Sequence, residues 1–113
     1  MPDEQTLPHH RLIAYDLALQ LVQLVARTRI GETQLRAQAR KSAISAALNT
    51  AEGAARESKA DKGRFYAIAL AECCECCAAI EIAGALGTCA PAHVKRAVAL
   101  GTRLRAILRK LSR

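Results

Sequence analysis

From Gln38 to Arg56 the polar side chains fall at steps of three, four, four, three and four: Gln38, Lys41, Ser45, Asn49, Glu52 and Arg56. An α-helix advances about 100° per residue, so this spacing draws one continuous polar line along a helix. Between those positions the chain is mostly alanine. Leu35, Ala39, Ala43, Ala46 and Thr50 form a flat face on one side, and Ile44, Leu48, Ala51 and Ala55 form a second apolar patch. A helix with two apolar faces is expected to touch neighbours on both.

The same periodicity governs the rest of the chain. Over residues 8–29 the stripe is narrower: Asp16, Gln20, Gln23 and Arg27, with nearly everything else aliphatic, alanine or tyrosine. An outer helix of a small monomeric bundle exposes about half its circumference. This one exposes less, so it is expected at the centre of the core or beneath another subunit. "TRIGET" (28–33) supplies Gly31 for a helix end and Thr33 as a cap, "GAARESKADKG" (53–63) offers Ser58 and Asp61 as caps, and "LGTCAP" (86–91) places Gly87 at a helix end and Pro91 in a first turn. Only 3% of the 113 residues are aromatic and none is Trp, which disfavours a β-sandwich. The chain is long enough to bury a core without staples. The prediction is a single all-α domain, an antiparallel up-down four-helix bundle with helices over residues 8–29, 33–56, 61–86 and 91–111.

Two segments carry a family likeness. "QARKSAISAALNTAEGAARES" contains Gln38, Arg40, Lys41, Ala43, Ser45, Asn49, Ala51, Glu52, Gly53 and Arg56, and "RFYAIALAECCE" contains Arg64, Phe65, Ile68, Ala69 and Glu75. In these residues the chain resembles, over about residues 10–87, the four helix bundle protein family. That family includes proteins encoded by intervening sequences in bacterial 23S rRNA genes. Departures are Lys41 for the family's second arginine, Ala47 for a frequent proline, and Ala71–Glu72 for a Gly-Ser pair. The resemblance implies a bundle assembled as a ring-shaped homo-oligomer, commonly a pentamer. It also implies kinship with the basic accessory protein of diversity-generating retroelements, which works with a reverse transcriptase and nucleic acid. Arg40, Lys41, Asn49, Glu52, Glu72 and Glu75 are expected to form a structural polar network between helices, since buried polar groups require partners for stability alone.

Known chemistries find little support. A dimetal-carboxylate bundle needs Glu-x-x-His on two helices; no such motif exists, and the histidines are His9, His10 and His93. In "CCECC" (73–77) Cys73 and Cys77 share a face, while Cys74 and Cys76 point elsewhere, so four tetrahedral ligands cannot converge. Cysteine is expected there as a small apolar residue, and an odd total of five, with Cys89, is a poor disulfide framework. There is no phosphate loop and no nucleophile elbow. No catalytic residue, metal or cofactor is expected, and the chain is read as non-enzymatic.

Charge gives the strongest functional signal. Residues 1–81 hold 10 of the 17 Lys/Arg and all 10 Asp/Glu, so the net +7 resides in residues 82–113 alone. The seven cations there are Lys95, Arg96, Arg103, Arg105, Arg109, Lys110 and Arg113. On a helix they cover about half the circumference, opposite Leu100, Leu104, Ile107, Leu108 and Leu111. Like charges crowded this way repel unless a polyanion offsets them. These seven residues are the expected nucleic-acid-binding set, with RNA favoured, and no aromatic residue stands among them for base stacking. The alternative is a protein-interaction module whose cations meet an acidic partner, such as a reverse transcriptase. "MPDEQTLPHH" lacks the basic start and apolar stretch of a secretory leader, which points to the cytoplasm, and no membrane association is expected.

Overall fold

The computed structural model describes residues 6–113. All regular structure among them is helical: α1 (Ile13–Arg27), α2 (Thr33–Ala55), α3 (Lys59–Ala85) and α4 (Pro91–Leu111). Each helix packs on its neighbours in the chain, and α4 closes back onto α1. Among the described residues neither α1 and α3 nor α2 and α4 bring Cα atoms within 8 Å. The molecule measures 46 × 26 × 20 Å, and the 27 residues of α3 supply about 40 Å of that length.

α1 begins at Ile13 and not near residue 8. Residues 8–11 form a turn in which local bonds satisfy the backbone: His10 N–H donates to the Leu7 carbonyl (3.1 Å), Leu12 N–H to that of His9 (3.1 Å), and Leu7 N–H to His10 Nδ1 (3.0 Å). α2 is capped one position earlier than Thr33, by Glu32, whose carboxylate accepts from Leu35 N–H at 2.6 Å. Ser58 caps α3, its hydroxyl accepting from Asp61 N–H at 3.0 Å. After α3, Gly87 takes φ +77°, and Thr88 N–H donates back to the Ala83 carbonyl at 2.9 Å. That left-handed closure costs glycine little and a Cβ-bearing residue more.

The core is built on alanine. Ala39, Ala43, Ala46 and Thr50 of α2 are buried as the flat face required, and α3, which packs along α2, buries Tyr66, Ala69, Cys73, Cys76 and Ile80. Leu17, Leu21 and Val25 of α1 and Leu104 and Leu108 of α4 supply the larger side chains. The signature around Gly53 works as a corner between α2 and α3. Tyr66 lies directly over Gly53, where a Cβ would stand 2.7 Å from the ring. The Arg56 guanidinium lies 4.6 Å from the Phe65 centroid, and that of Arg64 4.7 Å. Lys62 Nζ donates to the Ala54 carbonyl at 2.9 Å, satisfying the end of α2.

Candidate nucleic-acid interface

α4 starts with Pro91 at its first turn and turns Ala97, Gly101, Leu104 and Leu108 inward. The rotation that buries these four leaves Lys95, Arg96, Arg103, Arg105, Arg109 and Lys110 exposed, with Arg113 exposed just beyond the helix. Arg109 and Lys110 occupy the last turn, where the helix dipole favours cations. Arg113 follows just past the same helix end, and Lys95 and Arg105 each share a surface groove with Glu81. The ion pairs among the described residues are Arg56–Glu52 (3.4 Å) and Arg64–Asp61 (3.8 Å), and neither involves α4.

The basic face has two edges. Arg105 faces the seam with α3, in a groove of about 180 Å³ that also holds Cys77, Glu81 and Thr102. Arg96 and Arg103 face the seam with α1. There they line a groove of about 520 Å³ together with Gln20, Gln23, Leu24, Arg27, Thr28, His93, Ala99 and Leu100. The narrow stripe of α1 therefore opens onto the cations of α4. Gln20, Gln23, Arg27 and His93 were not expected as site residues. Their stripe was visible in the sequence, but which neighbour it faces depends on how α1 is rotated against α4.

Of the six residues expected as a polar network, Lys41, Glu72 and Glu75 lie together, while Asn49 and Glu52 find their partners within α2. Arg40, Lys41, Glu52 and Glu75 are exposed, while Asn49 and Glu72 are half-buried. Asn49 Nδ2 donates within its own helix, to the Ser45 carbonyl (2.9 Å) and hydroxyl (3.1 Å), and Glu52 pairs with Arg56. The link from α2 to α3 runs through Gln38, whose Nε2 donates to Glu75 Oε1 (3.0 Å) and to the buried Ser42 hydroxyl (2.9 Å). A hydrogen bond with the Glu72 carboxyl is the main cause pushing the Glu75 carboxyl above its usual range, and nearby Lys41 opposes it.

Cys73 and Cys77 both turn toward α4, donating to the Gly101 (3.5 Å) and Ala97 (3.6 Å) carbonyls. Cys76 is buried and Cys74 exposed, and all five thiols are free. Among the described residues, no group of three or more His, Cys, Asp or Glu is placed to hold a metal ion. Nor is any helix there long and apolar enough to cross a membrane.

Fold and surface together define a class: an alanine-cored four-helix bundle whose last helix presents cations alone. Compared with known families, the chain matches the model of the 23S rRNA-intervening sequence protein over residues 11–110, and it belongs to that family. The match runs past the residues 10–87 that carried the resemblance and takes in most of α4. No curated protein matches the chain significantly.

Proposed function

We propose that this family member is a non-enzymatic, homo-oligomeric protein of the cytoplasm that binds nucleic acid, RNA foremost, through the exposed face of α4. The observation that carries this reading is the set of seven exposed cations at residues 95–113, in a segment without one acidic residue. Phosphates are the ligand such a face recognises, because counterion release rewards each cation they engage. The family's name refers to a 23S rRNA intervening sequence, which makes RNA the first polyanion to test. Contacts of this kind are sequence-tolerant.

Short connections and chain-order packing favour an antiparallel up-down arrangement of the helices. Self-association is favoured by Ile44 and Leu48, which α2 leaves 49% and 66% exposed beside Leu19 of α1. A groove of about 330 Å³ opens there between the two helices. A ring such as the pentamer is the assembly we expect.

The test is fluorescence anisotropy with a 23S rRNA fragment and a random RNA across a salt series, at a protein concentration where light scattering reports the assembly. Four engaged cations give a slope of log K against log salt of about −3 for single strands and −3.6 for duplex. Replacing Arg103, Arg109 and Lys110 with Glu should abolish binding and leave helicity and assembly intact. No RNA binding at about 50 mM salt, or a charge-reversed variant that binds as well as wild type, would leave an acidic protein as the better partner.

A further inference from the structure

The groove between α1 and α4 does more than extend the basic face. Its volume of about 520 Å³ exceeds what a bare phosphate fills and falls within the range of small-ligand sites. Leu24, Ala99 and Leu100 provide apolar lining, Gln20 and Gln23 bring amides that both donate and accept, and Arg27, Arg96 and Arg103 bring charge. Gln20 Nε2 donates to Asp16 at 3.0 Å, which orients that amide. His93 Nδ1 is shut off from solvent, and among the described residues it has no hydrogen-bond partner. A concave mixture of apolar, amide and guanidinium groups suits a base with its sugar and phosphate, and a guanidinium plane can stack on a base where no aromatic ring is present.

We propose that the α1–α4 groove receives one unstacked nucleotide of the bound strand. Arg27, Arg96 and Arg103 meet its phosphate, and Gln20 and Gln23 meet its base and sugar. The proposal rests on the nucleic-acid reading above and deepens it: the protein selects single-stranded or looped RNA over continuous duplex. A paired, stacked base cannot enter a pocket between two helices without being extruded.

The experiment compares a single-stranded RNA, a hairpin with an open loop and a blunt duplex by anisotropy at one salt concentration. A companion ultraviolet cross-linking experiment uses RNA carrying a photoreactive base. Wild type should favour the open forms by about tenfold, the scale of one base contact. Cross-links should map to the α1 peptide containing Gln20 and Gln23. The Gln20→Ala/Gln23→Ala variant should lose the preference while keeping its salt slope, because no cation has been removed. Because both glutamines are exposed on α1, this variant is expected to fold, and circular dichroism checks that. Equal affinity for duplex and single strand, or cross-links confined to α4 residues outside the groove, would overturn the groove proposal and leave phosphate binding standing. Absence of RNA binding by wild type would overturn both.

Discussion

Replacing Gly53 with alanine tests the packing of the α2–α3 corner. Gly53 is buried within α2, and an added Cβ would lie 2.7, 2.8 and 3.2 Å from three atoms of the Tyr66 ring. Tyr66 is only 4% exposed, so the ring cannot swing into solvent. Two effects oppose each other. Alanine in place of a helical glycine gains about 1 kcal/mol of helix propensity, and forcing a methyl into a packed site costs about 1–3 kcal/mol. An aromatic ring held on all sides puts the cost toward the upper end, leaving a net loss of about 1–2 kcal/mol. For a chain of this length the unfolding entropy is about 240 cal/mol/K, so Tm should fall by about 4–8 °C. Far-UV circular dichroism melts at fixed protein concentration measure it. In the Tyr66→Leu background the same substitution should cost much less, since the flat ring is the obstacle. A raised Tm for Gly53→Ala, or an equal cost in both backgrounds, would refute the reasoning.

Gln38→Ala should destabilise by about 1–2 kcal/mol, because it removes a partner from the fully buried Ser42 hydroxyl as well as the bond to Glu75. Glu52→Ala, which breaks an exposed pair with Arg56, should stay within about 0.5 kcal/mol in the same urea titration. A thiol reagent followed by peptide mapping should modify exposed Cys74 first. Half-buried Cys77, its thiol held below the usual range by its interaction with Cys73, should follow, and buried Cys73 and Cys76 should react last. Burial pushes the Cys76 thiol from 9.0 up to about 12, so the folded chain holds a proton that the unfolded chain releases. The stabilisation is complete below pH 9 and declines as pH rises from 9 toward 12, by at most about 1.4 kcal/mol per pH unit for this thiol. Cys76→Ala should flatten that limb of the pH–stability curve, and an unchanged slope would contradict the assignment.

The helices were legible because their information is local. Polar stripes at three- and four-residue spacing, Ser58, Gly87 and Pro91 each act within a turn or two of the chain, and α4 runs over residues 91–111 as expected. The start of α1 was less legible, because bonds among Leu7, His9, His10 and Leu12 compete with the helix on equally local terms. The α2 stripe was read as a network in search of partners. Asn49 and Glu52 instead find theirs one turn away on the same helix, where polar side chains close short bonds without any help from tertiary structure. The groove was the least legible feature. Its two halves lie about 70 residues apart in sequence, and only the rotation of α1 against α4 brings Gln23 and Arg27 beside Arg96 and Arg103.

That rotation also determines how assembly and binding can coexist. α1 turns Gln20, Gln23 and Arg27 toward α4 and Tyr15, Leu19 and Val22 toward α2. The apolar groove with Ile44 and Leu48 therefore lies on the opposite flank of α1 from the basic one. A second copy seated on the apolar flank covers side chains that water penalises, at about 25 cal/mol for each Å² removed. It leaves the cations of α4 uncovered. Had the basic face and the apolar patch shared one flank, each added subunit would have hidden the phosphate contacts it was meant to multiply. In the assembly proposed above, with the flanks separate, every subunit would add its own stripe, and a strand held by one copy would meet the next at a high effective concentration. The coupling has a measurable sign. Ile44→Glu with Leu48→Glu should dissociate the assembly in light scattering and weaken RNA affinity by far more than two distant charges can, while the salt slope drops toward that of one subunit. Dissociation with affinity and slope unchanged would mean that each copy binds alone.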